Sequence, residues 1–169
     1  MSEGQKLPPT KPARPGAARS SARLAAVQAV YQIEMTSVSP DSVVAEFNRF
    51  PMGGEASSDD PLVDADGAMF EELVTGTQSH LVELDAEITK VLSSEWPLER
   101  LEMVLRAILR VGAYELAFRA DVPARVVITE YVDIAHAFFA GKEPGLVNGV
   151  LDKLAHGIRV AEMSRDKPV

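Results

Sequence analysis

Apolar positions recur at helical spacing along most of the chain. In "SSARLAAVQAVYQIEM", Leu24, Val27, Tyr31 and Met35 form a stripe at i, i+3, i+7 and i+11, widened by Ala26, Val30 and Ile33. This predicts a helix opening with Ser20 or Ser21 as its cap. "SPDSVVAEFNRF" predicts a second helix, with Ser39 as cap and Pro40 at the first helical position. Paired glycines and Asp/Ser positions make 51–61 a loop. From 62 to 92 the pattern is helical again, with Met69, Phe70, Leu73 and Val74 in one part and Leu81, Leu84, Ile88, Val91 and Leu92 in the other. Gly76 and Ser79 either break this stretch or only loosen it. The residue before Pro97 is pushed out of helical geometry, which ends it.

The segment Leu98 to Arg119 gives the clearest helix. Leu101, Val104, Leu105, Ile108, Leu109, Gly112 and Leu116 share one face, opposite Glu99, Glu102, Arg106 and Arg110. "RVVIT" at 125–129 is β-branched and reads locally as a strand. Val127, Tyr131, Ile134 and Phe138 continue at helical spacing and favour a helix. In "GLVNGVLDKLAHGI", Asn148-Gly149 is a hairpin signal. Yet Val147, Val150, Leu151, Leu154 and Ile158 fill one helical arc, and a lone hairpin would sit in a chain with no other strands. The expectation is an all-α protein of about seven helices.

Composition narrows the class. The chain has 169 residues, 46% hydrophobic and 25% charged, which suits one folded domain. It has no cysteine, which excludes disulfides and Cys-based metal sites or nucleophiles. No signal peptide or membrane-length apolar run is visible, so a cytoplasmic location is expected. The net charge of −8 is unevenly spread. Residues 1–23 carry Lys6, Lys11, Arg14, Arg19 and Arg23 against Glu3, a net of +4, which leaves −12 on the remainder. A basic arm on an acidic body can reach for polyanions that the body repels. The division expected is a disordered basic arm over 1–19, a single helical domain over 20–160 and a flexible tail over 161–169.

Three blocks of this sequence are similar to the NusB family of transcription antitermination factors. They are "ARLAAVQAVYQ", "LRVGAYELAFRADVPARVVITEYVDIA" and "LVNGVLDK". They spread from residue 22 to 159, and only 37–68 matches weakly. The resemblance implies two small helical bundles packed side by side, no enzymatic activity and no cofactor. It further implies binding of boxA RNA together with NusE, a small-subunit ribosomal protein. The complex would act on elongating RNA polymerase, notably in ribosomal RNA operons. A short basic arm that orders on contact suits single-stranded RNA.

Carried onto this chain, the resemblance implies RNA contacts from Lys11, Arg14, Arg19 and Arg23, because the family's arginine-rich start is diluted here by Ser20 and Ser21. It implies a further contact from Lys142 in the loop before the last helix. Asn148 and Gly149 are expected in about the first turn of that helix, where unpaired amides and the positive dipole end favour a phosphate and glycine allows close approach. The rival is that Asn148 holds the preceding loop and Gly149 only admits a neighbouring helix. Leu146 stands where the family commonly has an aromatic, and leucine offers no π-face for a base. The NusE-facing surface implied lies on the first helix, at Tyr31, and on the long helix, at Glu99, Glu102 and Arg106. Glu102 and Arg106 also have the spacing of an i, i+4 ion pair.

Other polar residues point to structure. His80, His136 and His156 are scattered and make no metal site, and no phosphate-binding glycine motif is present. Glu115 lies at the rim of an apolar arc and requires a partner, an arginine or a helix N-terminus. Two rival readings are the NusB-like domain of an RNA cytosine methyltransferase and a protein-only adaptor or homodimer. The Met start and short polar tail favour a complete protein over an enzyme fragment. Whether the free protein is a monomer or a dimer is open.

Overall fold

A computed structural model describes residues 16–49 and 66–165. Among them are eight α-helices and a 3-10 turn, with no strand. The helices are α1 (Ala17–Thr36), α2 (Pro40–Arg49), α3 (Gly67–Ser79), α4 (Leu81–Val91), α5 (Met103–Phe118), α6 (Ala124–Phe138), α7 (Glu143–Ile158) and α8 (Val160–Arg165). The 3-10 turn is Leu98–Arg100. Helix α1 packs on α3 and α5, while α6 and α7 pair with each other and with α5. The bundle α1–α3 thus meets the bundle α4–α7 along the α1–α5 contact, and one continuous core of buried residues runs through both. The loop at 51–61 lies outside the described residues, as do Lys11 and Arg14.

Several local signals resolve differently in three dimensions. Helix α1 begins at Ala17, after Gly16 at φ +85°, so Arg19 is already helical and neither serine is the cap. The Ser20 hydroxyl instead donates to Glu130 on α6 at 2.9 Å. The buried side of α1 is Ala22, Ala25, Ala26, Val27, Ala29 and Val30, while Met35 is exposed. Alanines let α1 approach two neighbours closely, which rotates the buried face away from the larger side chains. At α2 the sequence signal holds, since Ser39 Oγ accepts from the amide of Ser42 in the first turn.

The stretch from 67 to 91 breaks at His80, not at Gly76. Gly76 lies inside α3 because Tyr114 of α5 covers it. A Cβ there would fall 2.2 Å from the Tyr114 ring. Tyr114 in turn stacks on Phe118, which stacks on His80. Leu98 to Arg119 is not one helix. After Pro97, Leu98 and Leu101 both turn inward, and α5 starts only at Met103. Arg106 supplies the missing satisfaction: its Nη1 donates to the carbonyls of Glu99 (3.0 Å) and Leu101 (2.8 Å). Its Nη2 donates to Glu34 at 2.5 Å, so the expected pairing with Glu102 gives way to a tertiary one.

Residues 159–165 are built into the fold. Arg159 Nε donates to the carbonyl of Leu116 (3.0 Å), Nη2 to that of Arg119 (2.7 Å), and Nη1 to that of Val122. The Leu116 and Arg119 carbonyls lie at the end of α5, where a helix leaves its last carbonyls without helical partners, and that of Val122 lies in the turn before α6. Glu162 of α8 accepts from the Ala124 amide at 2.7 Å and so caps α6. One short C-terminal helix therefore fixes the corner between α5 and α6.

Candidate functional site

Arg23, expected to face RNA, lies inside the protein. Its side chain is 2% exposed, and its guanidinium grips Glu115, with Nε 3.0 Å from each carboxylate oxygen and Nη2 2.6 Å from Oε1. Tyr131 Oη donates to Glu115 Oε2 at 2.7 Å, and Glu130 lies 3.6 Å from Arg23 Nη1. This is the structural partner that Glu115 required. Burial alone would lower the pKa of Arg23, but the hydrogen bond and charge of Glu115 outweigh it and raise it. Burial, followed by the Glu115 charge, raises the Tyr131 phenol well above its usual value. A group so enclosed holds the two bundles together and offers nothing to a ligand.

Among the described residues, the other cations expected to meet RNA, Arg19 and Lys142, stand apart. Arg19 is exposed in the first turn of α1. It lies close enough to Asp121 to add to the effect of Arg119, whose hydrogen bond holds that carboxyl below the usual range. Lys142 is exposed as the residue preceding α7. Arg19 thus sits near the start of α6 and Lys142 just past its end. The 15 residues of α6 separate them, about 22 Å at 1.5 Å per residue.

Asn148 is exposed and Gly149 half-buried, but neither lies in the first turn. Helix α7 begins five residues before Asn148, and its first helical bond runs from the Leu146 amide to the Lys142 carbonyl. The unpaired amides lie upstream, where Glu143 already supplies a negative charge. The expectation of a phosphate held by helix-end amides at Asn148 is therefore corrected. A Cβ on Gly149 or Gly145 would meet nothing within 4 Å, so neither glycine is there to admit a neighbouring helix. With Asn148 they leave a low, open strip on the outer side of α7.

Phe138 was expected to continue the buried stripe of α6, yet it is 42% exposed at the helix end. It precedes Lys142 by four residues. Its spacing hid it: the arc through Val127, Tyr131 and Ile134 does bury those three, but Phe138 turns outward while the next residue, Phe139, packs against the core. The only hint in the sequence was its place beside the "AGKEP" loop.

Between α1, α4 and α5, Glu34, Asp85, Ala86, Thr89, Leu98, Glu99, Arg106 and Arg110 line a cleft of about 610 Å³. Arg110 Nε and Nη2 donate to the two oxygens of Asp85 (2.8 and 2.9 Å), and its Nη1 to Glu34 (3.2 Å). Two arginines are thus matched by two carboxylates, and Glu99 adds a negative charge at the wall. Tyr31 is half-buried one turn before Glu34, and Glu102 is exposed at the start of α5. The structure brings Arg106 and Glu99 to one cleft. Arg106 is committed within it, so Glu99, Glu102 and Tyr31 are the groups left to face outward. Glu34 and Asp85 were missed because they act across helices, and no local spacing marks that.

No group of three His, Asp or Glu among the described residues could hold a metal ion, and no described helix is long and apolar enough to cross a membrane.

Comparison with known proteins agrees with the geometry. The NusB family profile matches residues 20–156, most of the chain. The chain belongs to the NusB family. It is 44% identical to the transcription antitermination protein NusB of Rhodopseudomonas palustris strain BisB18, over 98% of this chain and 99% of that protein. It is 48% identical to that of Nitrobacter hamburgensis, over 87% and 91%. Among solved structures, T. maritima NusB superposes with a TM-score of 0.71 at 25% identity, covering 90% of this chain and 99% of that one. A chain from a crystal structure of the antitermination factors NusB and NusE in complex with double-stranded RNA gives 0.64 at 28% identity, over 83% and 97%. The all-helical, two-bundle architecture expected of a NusB protein is the one observed.

Proposed function

We propose that this chain is a non-catalytic, cytoplasmic antitermination factor that binds boxA-type single-stranded RNA together with NusE. In this reading the complex acts on elongating RNA polymerase, notably in ribosomal RNA operons. The observation that carries it is the shared fold with a NusB protein solved in complex with NusE and RNA. The distribution of charge supports it. The RNA surface consists of the basic arm with Lys11, Arg14 and Arg19, then Lys142, Asn148, Gly149 and Phe138 along α6 and α7. Phe138 offers the π-face that Leu146 lacks. Arg23 is not part of it. NusE, as a basic protein, meets the acidic outer groups Glu99 and Glu102 with Tyr31 beside them, while Arg106 holds Glu34 in place behind them. Covering that acidic field also favours RNA, so the two ligands bind cooperatively.

The test is titration of the full chain with boxA-like and scrambled single-stranded RNA, with and without NusE. NusE is expected to raise affinity, and more for the boxA sequence. Equal affinity for both RNAs in the presence of NusE would overturn the reading.

A further inference from the structure

The chain has a single tryptophan, and it is on the surface. Trp96 is 55% exposed. It is not on a loose end: its amide donates to the Ser93 carbonyl at 3.0 Å, closing a turn, and Pro97 follows it. Leu98 and Leu101, just beyond, are buried and pin the segment to the core. Met103, 39% exposed, adds a second large apolar side chain nearby in sequence. Leaving an indole in water forgoes its burial energy, and tryptophan on a rigid turn is a common centre of a binding interface.

The charges around it select the occupant. Glu95, Glu99 and Glu102 are all exposed, against Arg100 alone, and Glu99 continues into the wall of the cleft. Phosphates are repelled here, so RNA does not fit. A lysine or arginine side chain suits this stretch, because its charge is drawn both to an exposed indole face and to carboxylates.

We infer that Trp96 is the aromatic anchor of the protein-partner surface, receiving a cationic side chain of the partner between its indole and Glu99. This rests on the proposed function, in which a basic protein binds this face, and it adds the residue that anchors it.

The sole tryptophan reports on the site directly. Emission of the full chain is followed on titration with NusE, with RNA alone, and on dilution, while complex formation is measured independently by calorimetry. NusE is expected to change Trp96 emission at the stoichiometry of the complex, whereas RNA alone and dilution leave it unchanged. Trp96→Ala should weaken NusE binding about tenfold or more, with Trp96→Phe recovering much of it. If the complex forms but emission is unchanged, or Trp96→Ala binds as tightly, the anchor is refuted and the functional reading stands. A change on dilution or with RNA alone would assign Trp96 to self-association or to RNA and refute it equally. Failure of any complex to form overturns both.

Discussion

Arg23 and Glu115 form a buried two-pronged ion pair between α1 and α5, sealed by the Tyr131 hydroxyl. Both partners are almost wholly out of water, so removing one strands the other. Arg23→Met should destabilise the protein by about 3–5 kcal/mol in chemical denaturation. RNA affinity, corrected for the folded fraction, should be unchanged. A stable variant with weakened RNA binding would return Arg23 to the RNA surface.

Gly149 lies in the second turn of α7 with open space above it. Gly149→Ala should therefore raise stability by about 0.5–1 kcal/mol through helix propensity, measured by thermal melting. RNA binding should weaken, because the added methyl lifts a ligand off the backbone. A loss of stability would mean that the glycine serves packing after all.

Phe138 and the basic groups should separate in their salt response. Stacking on Phe138 is worth about 1–3 kcal/mol per base, so Phe138→Ala should cost that much while leaving the salt slope intact. Lys142→Ala should weaken binding less and flatten the slope. With three or four phosphates neutralised, log K against log salt should fall with a slope of about −2 to −3. A slope near zero would remove the electrostatic role of the arm.

Glu162 gives a pH signature. The Ala124 amide, and after it Arg159, holds the carboxyl below its usual pKa in the folded state. The unfolded chain takes up this proton first as the solution becomes acid. The contribution is thus complete above the ordinary glutamate range, near pH 4.3, and is lost as pH falls through the lower folded value. In equilibrium unfolding, the stability gap between wild type and Glu162→Gln should be open at neutral pH and narrow on acidification. A gap independent of pH would mean that the carboxylate charge does not hold the corner.

The sequence by itself determined the all-helical class, the family and the sign of the charge on each region, but neither where α5 begins nor that α8 forms. Apolar spacing is a local property, and a strand reading of "RVVIT" or of Asn148-Gly149 fails against the helical arcs on either side. Glu115 announced that it needed a partner, because a carboxylate at the rim of an apolar arc cannot stay unpaired. What spacing could not say was which partner. Arg23 looked like one more cation of a basic arm until α1 was laid against α5. Phe138 looked like core until the fold turned it outward at the end of α6. Arg106 had a local mate in Glu102 and took Glu34 on another helix, since the cleft between the bundles excludes more water and makes that pairing stronger. Whether a side chain turns to the interior or to the surface depends on what the rest of the chain places against it. Only the tertiary structure decided that for Arg23, Phe138 and Arg106.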